Sequence, residues 1–263
     1  METHAHHLHK APGKHFWHYF FEFFMLFLAV FCGFLVENFR EERVEMHRAN
    51  ELAKSFYSEL KNDSTIAVSK IANRIKEENA LIYLGEYFKD SSLTNVSKAF
   101  SINFLYGIYF RSPSLFEPRT VVLDQLKNSG SLRYFKSEEL QKLIGDLSVA
   151  IHNINDRQLL ETQLRFQYVN QFILNHYDYD FETSLTKNGQ LDVFTAISEY
   201  EKNNEVIPFH FHGMAKFDKE QAINLMGFFG RAGISATRRI HYKRYTEVNA
   251  QLLNLLRNEY HLN

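Results

Sequence analysis

The sequence predicts an all-α protein: one N-terminal transmembrane helix continues into a long helix, which packs in an extramembrane helical bundle. Three observations predict it. Glycine (11) and proline (4) are scarce in 263 residues, which favours long helices over a sheet that would need a turn every ten residues or so. Residues 16–36, FWHYFFEFFMLFLAVFCGFLV, carry a single formally charged side chain, Glu22. At ~1.5 Å per helical residue that run spans about 31 Å, the hydrocarbon thickness of a bilayer. Beyond it, small and apolar residues recur at spacings of three and four, the period of a helix with one buried stripe.

Residues 1–15 form a histidine-rich tail, with His4, His6, His7 and His9 as weak candidate metal ligands. Neutral imidazoles suit borderline divalent ions. Incidental weak binding and an interfacial role among lipid headgroups, beside Lys10, Lys14 and Trp17, are the other readings. The apolar run that follows, 16–36, shows no small-residue cleavage site and reads as a retained anchor rather than a signal peptide. Glu22 is the membrane-embedded functional candidate. A carboxylate in a span can mark an ion path or a helix partner, or it can lie near enough to one end to meet headgroups. Cys32, the only cysteine, lies inside the run, so the rest of the chain can form no intrachain disulfide and no thiolate metal site.

Residues 37–263 are expected to make one helical extramembrane domain. Its first helix covers 37–89, with a stripe of Ala49, Leu52, Ala53, Phe56, Leu60, Ala67, Ile71, Ile75 and Ile82. That stripe can pack against later helices of the same chain or against a second copy, although its repeat is not a clean heptad. Middle helices cover 94–176. Pro118 suits the first turn of a short helix whose exit turns at Gly130, and Ser137 starts the next helix, which reaches His176. Residues 177–189 read as a polar, aromatic link, and C-terminal helices cover 190–263. Within them 207–213 reads as extended, with His210 and His212 on one face, either a surface pair or two ligands of a metal. Asp218 caps a final helix in which Gly227, Gly230 and Gly233 point to close packing or a kink. The basic cluster Arg238, Arg239, His241, Lys243 and Arg244 reads as a solvated face or as a contact for anionic lipid or a partner.

In its charged and aromatic positions the chain resembles a family of single-pass, membrane-anchored bacterial proteins with a helical domain of unknown function. The matching positions are Glu22, Asn38, Phe39 and Glu41 around the end of the span, and then Glu59, Leu60 and Asp63. Leu126, Lys127, Ser129, Gly130, Leu132, Leu140 and Leu143 follow. Ala29 and Phe39 stand where the family pattern has glycine and tryptophan. The resemblance implies an architecture and carries no activity.

Lys plus Arg total 30 against 31 Asp plus Glu, a balance that points away from nucleic acid. There is no HExxH and no nucleophile–base motif, so neither a catalytic residue nor a cofactor is expected. The function expected is a membrane-anchored helical scaffold or protein-interaction module of the bacterial envelope. Its partners would be membrane lipid and either a second copy or an envelope protein. The alternative is a ligand-sensing helical domain acting through a separate partner. The location expected is the bacterial inner membrane. Basic residues flank the two ends of the span almost equally, and the body is placed in the periplasm.

Overall fold

The computed structural model describes residues 14–111 and 114–262, and among these there is helix, turn and coil but no strand. The chain divides into two units, Met1–Leu52 and Ala53–Asn263. Helix α1 (Lys14–Asp90) enters both. In the first unit the apolar side chains of 16–36 are exposed, and the helix is long and apolar enough to cross a membrane.

The second unit is an α-helical bundle. After α1 come α2 (Lys98–Phe104), extended by a π turn at Leu105–Tyr109, then α3 (Val121–Asn128) and a 3-10 turn at Ser131–Tyr134. Helix α4 (Glu138–Leu164) runs through a π turn at Arg165–Val169 into α5 (Asn170–His176), and so reaches His176 as its apolar spacing predicts. Helices α6 (Tyr179–Leu185), α7 (Val193–Lys202), α8 (Lys219–Phe228) and α9 (Lys243–Tyr260) follow, with π turns at Phe229–Ser235 and Thr237–Tyr242 joining the last two. The starts of α4 and α8 are capped as expected. Ser137 accepts from the Leu140 N–H, and Asp218 accepts from the Gln221 N–H.

Two apolar regions meet along α1. One is aromatic and gathers Phe88, Phe100, Phe104, Phe172, Phe209 and Phe211. The other holds Phe56, Leu60, Leu126, Leu140, Leu252 and Leu256, where α4 and α9 lie side by side. Beside α1, buried Ser114 and Phe116 sit in a segment that forms no regular α-helix, and their backbone groups must be paired there. Three buried side chains do it. The Arg74 Nε donates to the Ser114 carbonyl (3.1 Å), Gln158 bonds both the N–H and the carbonyl of Phe116 (2.8 and 2.9 Å), and the Tyr242 hydroxyl donates to the Ser114 carbonyl (3.0 Å).

Several local expectations change. The buried face of α1 runs Ala49, Ala53, Phe56, Leu60, Asp63, Ala67, Arg74, Glu77, Leu81, Leu84, Phe88, which leaves Ile75 and Ile82 exposed rather than in the core. The face carries charge in its middle, where Arg74 and Glu77 bond buried Ser114 and Asp63 accepts from the Arg119 N–H. Helix α3 begins at Val121, beyond Pro118, and Thr120 gives it no side-chain cap. Its start is held from α1 instead, where Glu59 accepts from the Val122 N–H (3.1 Å) and Asp63 from the Arg119 N–H (2.8 Å). Residues 177–189 are not only a link. Asp178 accepts from the N–H groups of Asp180 and Phe181 and so nucleates α6. Segment 207–213, expected to be extended, is coil that pairs with no strand among the described residues, and Gly213 lies in the left-handed region.

Candidate functional site

A cleft of about 420 Å³ opens between the α4–α5 helix and α8, within the size range of small-ligand sites. One wall presents Gln167, Tyr168, Gln171 and Asn175, and the other presents Gln221, Asn224, Leu225 and Phe228. Buried Phe172, His176 and Ala222 line its base, and Lys216 and Asp218 stand at the end where α8 begins. The lining is thus rich in carboxamides and aromatic rings.

Its shape depends on a knot of hydrogen bonds at the end of α5. The His212 N–H donates to the His176 carbonyl (3.2 Å), and the His176 Nδ1 bonds the His212 carbonyl (2.8 Å). A carbonyl only accepts, so Nδ1 carries the proton and Nε2 remains an acceptor. Burial holds the His176 pKa below its ordinary value, against the carbonyl bond that would raise it. The imidazole stacks on Phe211 with ring centres 4.7 Å apart. Gly213 then turns with φ +65°, and a Cβ there would lie 2.6 Å from the Asn175 carbonyl oxygen. Only glycine lets the chain pass so close to α5.

Asp178, almost fully buried, ties the same knot from below. It accepts from the His210 N–H (2.7 Å), and its two oxygens face the His210 ring (3.2 Å) and the His212 ring (3.7 Å). Burial would raise its carboxyl pKa, but the N–H donors of His210 and Phe181, with the histidine rings, bring it below the ordinary value. The two histidines therefore share a face, as their spacing predicts, and that face is turned to a carboxylate. Among the described residues no three His, Cys, Asp or Glu side chains gather as a metal site.

The buried polar layer beside this region is a second cluster. Arg74 makes a bidentate pair with Glu161 (2.9 and 3.0 Å) and lies 4.6 Å from the Tyr242 ring centre. Burial works against its charge, yet the Glu161 bond and attraction outweigh this and raise the Arg74 pKa. Arg165 donates to the carbonyls of Ile108 and Tyr109 (2.5 and 2.6 Å), which end the α2 helix. Glu77 accepts from the Ser114 hydroxyl, and burial pushes its carboxyl up to about 8. Arg74 and Arg165 support backbone carbonyls outside regular α-helix, and Glu161 and Glu77 hold Arg74 and Ser114 in place, so the layer reads as structural.

Other candidates fall elsewhere. Glu22 is exposed on α1 and joins neither cluster. His4, His6, His7 and His9 lie outside the described residues. The basic cluster is largely answered by carboxylates: Arg238 and Arg239 pair with Glu78 (2.7 and 3.4 Å), Arg244 with Asp146 (3.1 Å) and Lys243 with Glu247 (3.8 Å). Of the three glycines near the C-terminus, Gly230 and Gly233 have room for a Cβ at ordinary contact distance, 3.4 Å from the Leu81 side chain and 3.6 Å from that of Phe229, and Gly227 faces open space, so close packing does not require them.

One surface feature stands out from this arrangement. Val68, Ile75 and Ile82 are 65%, 41% and 59% exposed on α1, each seven residues from the next. The sequence put Ile75 and Ile82 on one stripe with Ala53, Phe56 and Leu60, from which the structure separates them, and it left the cleft unseen because the walls come from helices about fifty residues apart. No protein family, curated protein or solved structure matches this chain.

Proposed function

We propose that the chain is a single-pass, membrane-anchored helical interaction module of the bacterial envelope that joins a second copy of itself through α1. The observation that carries this reading is the exposed stripe Val68, Ile75, Ile82. A spacing of seven is the period at which two helices stay in register. Asn79, also exposed and adjacent on that face, is the kind of polar residue that fixes register in a paired helix. Anchoring through 16–36 in one bilayer would hold two copies parallel, so that equal positions meet. The bacterial inner membrane, with the body in the periplasm, is the placement proposed; labelling of single exposed cysteines from either side of the membrane tests it.

The pairing is tested on the full chain in membranes, with Cys32→Ser to clear the background. Ile75→Cys should form a disulfide-linked dimer on mild oxidation, and Lys202→Cys, on α7, should not. Ile75→Lys, a change at an exposed site, should abolish association while leaving the helical signal intact. A protein that stays monomeric at every lipid ratio overturns the pairing, and a different protein crosslinked at residue 75 would replace it.

A second reading, ligand sensing through a separate partner, is favoured by one observation, the amide-lined cleft beside α8.

A further inference from the structure

We propose that the cleft between the α4–α5 helix and α8 is a binding site for a neutral saccharide. This rests on the second reading above, that the cleft takes a small ligand, and adds the ligand's chemical class.

The polar groups of the cleft are mostly carboxamides. Each offers a donor and an acceptor side by side, which matches neighbouring hydroxyls that themselves both donate and accept. Elsewhere in the fold, interior amides are committed: Gln158 to the Phe116 backbone, Gln141 to the Phe135 carbonyl and Asn249 to the Leu60 carbonyl. In the cleft, the side-chain amides of Gln167, Gln221 and Asn224 make no hydrogen bond to another described residue. Gln221 and Asn224 stand on α8 and Gln167 on the π turn of the facing helix; all three are exposed, so they are open to a ligand as well as to water.

The aromatic groups supply the complementary half. Phe217 packs against His176 (5.5 Å), which fixes the start of α8 beside the end of α5. Helix α8 runs on from there to Phe228, at the end of the cleft where Tyr168 lies, ten residues or ~15 Å along the helix. Tyr168 and Phe228 are 45% and 53% exposed. Flat rings of this kind cover the apolar C–H face of a sugar while its hydroxyls reach the amides.

Charge favours a neutral ligand. The two charged groups of the lining, Lys216 and Asp218, are of opposite sign and two residues apart, so the cleft carries no net formal charge. Phe172 and Ala222 are buried and packed into the core beneath, which favours a flat ligand lying across the cleft over a peptide side chain inserted into it.

The test uses the full chain in detergent micelles. Neutral di- and trisaccharides built from glucose, galactose, mannose and N-acetylglucosamine are screened by saturation-transfer NMR and titration calorimetry. At least one should bind, and Phe228→Ala and Gln221→Ala should each weaken it about tenfold or more without lowering the melting temperature. Val121→Ser, at an exposed position of α3 away from the cleft, should leave binding unchanged. Failure of every saccharide to bind overturns the proposal, as does binding that both cleft variants leave intact. A short neutral peptide that binds and is lost in the same two variants also overturns the saccharide class, while the reading of the cleft as a ligand site survives.

Discussion

Glu77 offers the sharpest test of how the interior of this bundle is arranged. Its carboxyl is buried on α1 against the Ser114 hydroxyl, with Arg74, Arg165 and Glu161 around it. Burial is the dominant influence and favours the neutral form; the Ser114 bond and the two arginines favour the anion but do not prevail, and the pKa rises from 4.5 to about 8. The folded protein therefore keeps a proton that the unfolded chain has already released. Stability contributed by this group is fully present below about pH 4.5 and is lost as pH rises through about 8. A shift of that size, at about 1.36 kcal/mol per pH unit, is worth up to ~5 kcal/mol. Glu77→Gln keeps an acceptor for the Ser114 hydroxyl and cannot ionise. Calorimetric melting of the full chain in micelles from pH 5 to pH 9 should show the variant gaining on the wild type by about 10 °C over that range. A gap that stays constant with pH would refute the reasoning, because it would mean that Glu77 titrates alike in the folded and unfolded chain.

Four further outcomes follow from the structure. Arg74→Met should cost about 3–5 kcal/mol in denaturant unfolding, because it strands the buried Glu161 carboxylate, and adding Glu161→Leu should recover part of the loss. Gly213→Ala should destabilise by about 1–3 kcal/mol, through a left-handed φ and a Cβ driven against the Asn175 carbonyl. Gly130→Ala, at φ +70° but in open space, should cost only about 1 kcal/mol; equal losses at the two glycines would deny the close approach. Asp178→Asn should lose about 1–3 kcal/mol at neutral pH. The Asp178 carboxyl is depressed in the folded state, so its contribution is present above pH 3.8 and fades as pH falls through the lower folded value. The wild-type and Asp178→Asn melting curves should therefore converge in acid.

The sequence by itself determined the all-helical class, the long apolar N-terminal helix, and the starts of α4 and α8, because scarcity of breakers, a charge-poor run and a capping side chain all act within a few residues of where they are read. It also marked Gly130 as a left-handed exit and His210 and His212 as sharing a face. What only the tertiary structure decided is which face of α1 is buried. Counting apolar residues led to Ile75 and Ile82, whereas the buried positions between Ala67 and Leu81 include Arg74 and Glu77. A charged residue enters a core only when distant groups answer it, and here those groups are Glu161, 87 residues away, and the Ser114 backbone, 40 residues away. The cleft was hidden for the same reason. Its carboxamides look like ordinary solvated residues on two separate helices until the His176–His212 bonds and the Gly213 turn bring α8 against α5.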